Sequence, residues 1–336
     1  MLFHSQVGMA AYLDLLRLLQ DEAVSALRGA PTAVTVKGRI FWYDKYRIGT
    51  EMVQKYIGPD SPELRARLGD VPTLRAQADA RRVARRRLVR ILRAENYGTT
   101  DQRSGSLLNA FARTGVFRLG GTLVGTVAFR HYEGELGVVL SFDQLAQTGD
   151  LDVASFERLS FAIGDAVETP LVEVFRDLKF DAVPALDQGR TWRWAQSGGE
   201  MLVDFLMPAH GAEGIRDLPA LGVSAQALRH LDYLLENPIP AVSLYRSGVL
   251  IQIPRPERFA IHKLIVAERR KGGSMAGKAA KDRAQAAFLI RALAELRPDE
   301  LAEAYAEARA RGSGWETRIA ASLKRMPEVA EMLAGV

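Results

Sequence analysis

The sequence predicts a mixed α+β protein, a small mixed sheet flanked by helices, with a basic helix and β-hairpin module before it and a helical region after it. Three observations predict this class. Apolar residues recur at helical spacing near both ends of the chain, as in Leu13, Leu15, Leu16, Leu18 and Leu19. Short segments rich in β-branched and aromatic residues lie between them. Two glycine turns, Ser197-Gly198-Gly199 and Ser247-Gly248, join such segments in the manner of hairpins.

Taken in order, a helix is expected over about 9–27, ended by Gly29 and Pro31. Strands follow at 34–43 and 51–57 around a turn at Arg47-Ile48-Gly49-Thr50, and the pair closes at Gly58-Pro59-Asp60-Ser61-Pro62. A helix with a basic face covers about 73–94, and the polar stretch 96–105 marks a boundary. A short helix at 106–113 and a strand at 115–119 come next. Gly120 and Gly121 then break into a helix that runs to about Glu133. Thr148-Gly149-Asp150-Leu151-Asp152-Val153 reads as a strand leaving a turn. Beyond a further helix, strands are expected at 190–196 with 200–207 and at 242–245 with 249–253. Pro256 suits a helix start. Helices at 257–270 and onward, with a Gly/Ser/Lys-rich break at 271–277, complete the chain. The expected modules are 1–105, 106–255 and 256–336, without internal repeats.

Of the 336 residues, 48% are hydrophobic and 25% charged, which excludes a collagen-like or wholly disordered chain. No apolar run approaches the ~18–20 residues that span a bilayer. The first helix carries Asp14 and Arg17 and lacks a basic leader, so a cytoplasmic protein without membrane attachment is expected. Zero cysteines remove disulfides, thiolate catalysis and cysteine-held zinc. The five histidines (His4, His131, His210, His230 and His262) include no close pair. A metal would therefore sit on carboxylates, which selects a hard cation, Mg²⁺ or its substitute Mn²⁺.

The formal net charge of +5 conceals an asymmetry, because residues 33–103 hold 16 Lys/Arg against 8 Asp/Glu. Arg81, Arg82, Arg85, Arg86, Arg87, Arg90 and Arg93 crowd one helical segment and offer a phosphate-binding face. The competing reading is a solvated face that meets carboxylates of another part of the chain. In the preceding strands, Phe41, Trp42, Tyr43 and Tyr56 mix with basic residues as in nucleic-acid platforms, or else form a small core.

Three features carry chemistry. Leu119-Gly120-Gly121-Thr122 is expected at a strand-to-helix junction, where glycine N–H groups and the helix dipole hold phosphate. Asp150 and Asp152, two apart on a strand, point to one side. Asp204 interrupts the apolar strand Met201-Leu202-Val203-Asp204-Phe205-Leu206, so it needs a partner: a cation, an arginine or a helix end. Three carboxylates gathered from adjacent strands would hold one or two metal ions for phosphoryl or nucleotidyl transfer.

The runs Phe117 to Ala128 and Thr148 to Ala154 resemble the nucleotidyltransferase-fold proteins of the DNA polymerase β superfamily, most closely the AbiEii-type bacterial members. Phe259-Ala260-Ile261-His262-Lys263-Leu264 and Lys281-Asp282 stand where that family carries a lysine helix and a basic-acidic pair. The resemblance implies that Gly120, Gly121 and Thr122 contact the phosphates and that Asp150, Asp152 and Asp204 hold metal. It further implies that Lys263 and Lys281 neutralise the triphosphate, with Asp282 orienting a lysine or the acceptor. Glu133-Gly134-Glu135 and Asp143 fall in a longer stretch than the smallest members have, readable as a lid or as a change in acceptor choice. The activity implied is transfer of a nucleoside monophosphate from an NTP to an acceptor hydroxyl; the basic surplus of residues 33–103 favours RNA, a tRNA end among the candidates, with protein or a small molecule as the other acceptors. A toxin- or defence-like role would bring a neutralising partner protein. The alternatives are a non-catalytic nucleic-acid-binding module and a metal-dependent nuclease.

Overall fold

A computed structural model describes residues 1–27, 29–48, 51–140, 150–154, 166–184, 190–199, 201–270, 272 and 276–335, with 47, 48, 51 and 150 described by backbone alone. Three sheets and a large set of helices make the fold a mixed α+β one. No described helix is long and apolar enough to cross a membrane.

Helix α1 (Gln6–Ser25) begins where the Ser5 hydroxyl accepts the Gly8 N–H, and it buries Tyr12, Leu15 and Leu19. The antiparallel sheet β1 (Ala30–Val36), β2 (Arg39–Ile48) and β3 (Glu51–Pro59) follows. The segment expected as one strand over 34–43 is split at Lys37 and Gly38, both at positive φ, into the end of β1 and the start of β2. Gly49 and Thr50 of the expected turn lie outside the described residues. Tyr43 and Tyr56 are buried edge to face, and the Trp42 indole donates to Asp60. The aromatics here therefore form a small core.

Helices α2 (Pro62–Gly69), α3 (Val71–Ala76) and α4 (Ala78–Ala94) come next, the basic helix being broken at Gln77. Helix α5 (Gln102–Thr114) is capped by the Asp101 carboxylate and ended by Gly115 at φ +89°. That left-handed glycine corrects the strand expected at 115–119. Residues after it fold back in tight turns, with the Gly121 N–H donating to the Val116 carbonyl. Val116, Phe117 and Leu119 are apolar because these turns are buried, not because the segment is extended.

The central sheet runs β4 (Thr122–Val124), β5 (Asp150–Ala154), β8 (Leu202–Pro208), β10 (Val223–Leu228) and β9 (Gly214–Leu218). Beside it, β6 (Phe180–Ala182) pairs with β7 (Arg193–Gln196), which pairs with the first half of β8. The expected hairpin around Ser197-Gly198-Gly199 is thus β7–β8, whereas the antiparallel pair β9–β10, joined by a turn that ends at Gly222 (φ +64°), is an addition to the expected strands. Leu151, Val153, Val203 and Phe205 face the core, where Phe111, Phe175 and Trp194 pack on them. The other expected hairpin is β11 (Ile239–Ser243) with β12 (Val249–Ile253).

Between β4 and β5 lies α6 (Gly125–Leu136), and α7 (Leu171–Asp177) and α8 (Leu231–Leu234) flank the sheet. The terminal helices are α9 (Pro256–Arg269), α10 (Ala276–Leu296), α11 (Pro298–Ala310), α12 (Ser313–Leu323) and α13 (Pro327–Ala334).

Burial sets a pH dependence. His131 on α6 is buried with its Nδ1 donating to the Val127 carbonyl at 2.8 Å, and burial pushes its pKa down to about 4. Burial and the neighbouring Lys263 push His262 well below the usual imidazole range as well. Both rings are neutral when folded, while the unfolded chain takes up protons from about pH 6.5. Stability is therefore full above that pH and lost as pH falls toward 4, by roughly 3 kcal/mol for His131 at the lower end. Urea midpoints of a His131→Asn variant are expected to fall less between pH 6.5 and 4.5 than those of the unaltered protein.

Candidate active site

Asp152 and Asp204 are direct register partners on the parallel strands β5 and β8. Side chains alternate along a strand, so while Leu151, Val153, Val203 and Phe205 enter the core, these two carboxylates share the opposite face. Neighbouring strands lie ~4.8 Å apart. Asp150 opens β5 opposite Leu202, two residues before Asp152. Asp143, Thr148 and Gly149 lie outside the described residues.

Arg193 of β7 stands opposite Asp204 on its other side. Its Nε donates to Oδ1 at 2.6 Å and its Nη2 to Oδ2 at 2.5 Å, a two-pronged pair. Its guanidinium also lies 4.6 Å from the Trp192 ring centre. An isolated charge at Asp204, which is 9% exposed, is thereby avoided.

The strand-to-helix junction is not at Gly120-Gly121-Thr122, as expected, but at Val124-Gly125-Thr126. Gly121 and Thr122 are buried, and a Cβ on Gly121 would strike Val116. The Thr122 hydroxyl donates to the Gly120 carbonyl at 3.2 Å and accepts from Gln252 Nε2 at 2.9 Å, so it is already engaged inside the fold. Gly125, at φ +68°, starts α6 with no side-chain cap, and it and Thr126 are half-buried at the surface. A Cβ on Gly125 would overlap Asp152 Oδ2. The helix start and the carboxylate thus touch, which only glycine permits. The signal present in the sequence was a second Gly-Thr pair placed after the apolar Leu123-Val124, which form the strand.

Helix α10 closes over this turn, with Gln285 Nε2 donating to Thr126 Oγ1 at 3.4 Å. Lys281 lies one turn earlier on the same face as Gln285 and is half-buried. Lys263 of α9 is buried, with its ammonium 2.5 Å from Asp282 Oδ1, while Arg270 Nη1 reaches Oδ2 at 2.9 Å. Glu133, Gly134 and Glu135 are not part of a lid. All three lie within α6, where Glu133 accepts from the Gly98 N–H, Gly134 packs on the Tyr12 ring and Glu135 pairs with Arg297.

A family described as Nucleotidyltransferase matches residues 102–310, more than half of the chain. The chain belongs to this nucleotidyltransferase family. It is an enzyme of nucleotide transfer, and the family implies an NTP as substrate. No curated protein and no solved structure matches the chain.

The basic helix α4 precedes the matched region of this nucleotidyltransferase. Two of the seven arginines expected to meet nucleic acid are buried instead. Arg81 donates to Ser25, and Arg85 pairs with Glu22 and donates to Ser247 at 2.9 Å. They fasten α4 to α1 and to the β11–β12 turn. Arg82, Arg86, Arg87, Arg90 and Arg93 are exposed, and among the described residues no carboxylate pairs with them.

A divalent metal is common in nucleotidyltransferases, and the donor type here suits one: hard carboxylate oxygens of Asp152 and Asp204, register partners on neighbouring strands. Among the described residues no group of three or more His, Asp or Glu gathers at metal-holding range, and the Asp150 side chain is outside that description.

Proposed function

We propose that this nucleotidyltransferase moves a nucleoside monophosphate from an NTP to an acceptor hydroxyl, in the manner of AbiEii-type members of the DNA polymerase β superfamily. The observation that carries the reading is the in-register pair Asp152 and Asp204 beside the Gly125-Thr126 helix start. The uncapped N–H groups of that turn bind phosphate oxygens, with the helix dipole adding attraction. Lys281, one turn from Gln285, adds positive charge, and Gln285 steadies Thr126. Asp150, Asp152 and Asp204 would hold Mg²⁺ or Mn²⁺, which when bound offsets charge building on the phosphate oxygens. The acceptor oxygen bonds to the α-phosphorus, the bond to the β-phosphate bridging oxygen breaks, and pyrophosphate leaves. Asp204, one strand further from the turn, takes the hydroxyl proton. Position and fixed charge supply most of the acceleration.

Incubation with each α-labelled NTP, Mg²⁺, and total RNA or protein extract tests this. Label is expected to enter one polymer and to vanish with Asp152→Ala; labelling that survives this change would remove the assignment.

The exposed arginines of α4 favour RNA as acceptor. Arg82, Arg86, Arg90 and Arg93 recur every three or four residues and so line one face. RNA affinity is expected to fall steeply with salt. Replacing these four by alanine should flatten that dependence by about 0.7 in log–log slope for each phosphate no longer neutralised. An unchanged slope counts against the RNA reading.

A further inference from the structure

We propose that Arg193 is the resident counter-cation of Asp204 and sets the enzyme's affinity for divalent metal: a metal ion would reach the Asp204 oxygens in competition with this guanidinium. The proposal rests on the metal-holding role given above to Asp152 and Asp204.

Cross-strand register fixes the pairing. Arg193 is opposite Asp204 on one side, as Asp152 is on the other, so the three side chains share one face of the sheet. The guanidinium takes both Asp204 oxygens, with one nitrogen on each. A divalent ion held by Asp152 and Asp204 would need a lone pair on at least one of those oxygens, and there it would compete with the guanidinium for the same negative charge. Exposure allows the exchange. The Asp204 side chain is 12% exposed but that of Arg193 is 37% exposed, so the arginine can withdraw toward solvent while the aspartate stays. The Trp192 ring, already 4.6 Å from the guanidinium, offers it a surface to rest on after withdrawal. Without Arg193, Asp204 would lose the two charge-assisted hydrogen bonds that compete with a cation for its oxygens and would draw a cation more strongly.

Titration of the full-length protein with Mn²⁺, reading free ion by electron paramagnetic resonance and without nucleotide, tests this. Hydrogen bonds between charged groups contribute ~1.5–3 kcal/mol, so Arg193→Gln is expected to tighten Mn²⁺ binding on the order of 10- to 100-fold. Arg193→Lys, which keeps the charge but not the fork, should tighten it less. In an Asp204→Asn background the Arg193→Gln change should have no effect. Should Arg193→Gln fail to fold, Arg193→Lys decides alone. Affinity left unchanged or weakened by these substitutions, while Asp152→Asn still abolishes binding, overturns this proposal only. Mn²⁺ binding by neither the unaltered protein nor Arg193→Gln overturns both this proposal and the metal reading beneath it.

Discussion

A Gly125→Ala enzyme is expected to fold, to lose a little stability, and to transfer nucleotide at least ~100-fold more slowly than the unaltered enzyme, the scale of an ångström-level misplacement at a reacting centre. Two effects act at this position. Gly125 sits at φ +68°, where an L side chain costs about 1–2 kcal/mol. A methyl group there would also overlap Asp152 Oδ2, so the carboxylate or the start of α6 must move. Gly198 separates the two. It has the same φ of +68°, lies at the β7–β8 turn, and a Cβ there meets nothing within 4 Å. Gly198→Ala should carry the backbone cost, visible as a lower urea midpoint, and keep its transfer rate. Equal rates for Gly125→Ala and Gly198→Ala would show that contact between the turn and Asp152 does not matter to the reaction.

These two glycines also show where the sequence was legible. Asp204 is legible because a charge inside an apolar strand needs a partner, Asp152 because it lies two residues from Asp150 on a strand, and the β7–β8 hairpin is marked by its glycines. Register was not legible. Only pairing of β5 with β8 puts Asp152 opposite Asp204, and only pairing of β7 with β8 puts Arg193 on it. The parallel pairing of β5 with β8 is a long-range choice that no local pattern encodes, whereas the β7–β8 pairing follows from its glycine turn. The glycine turn was misplaced because two Gly-Thr pairs lie four residues apart, and three-residue β4 is too short to show alternation. Charge was over-read on α4. A count of arginines cannot separate Arg85, fastened to Glu22, from Arg86 in solvent, since the helical period that distinguishes them has meaning only once α1 is packed alongside.

Lys263 is the position where a stability effect of similar weight is expected. The sequence resemblance gives this lysine to the triphosphate, but its ammonium is buried and held by Asp282, which Arg270 also grips. Among the described residues, Lys263→Met leaves Asp282 with one cation, Arg270, and Asp282→Leu leaves a buried ammonium with no carboxylate, beside the Phe259 ring alone. Breaking a buried pair from one side costs about 3–5 kcal/mol, because the remaining charge has lost its compensation. The double variant Lys263→Met/Asp282→Leu removes both charges from the α9–α10 contact and should recover most of the loss, Arg270 being 39% exposed and able to turn to water. Urea unfolding with unchanged slope measures all three. Because α10 also carries Gln285 to Thr126, the single variants should loosen the phosphate turn as well as the fold, and the double variant should restore NTP binding along with stability. A double variant that is stable but no longer binds NTP would assign Lys263 to the nucleotide directly, and the strut role would fall.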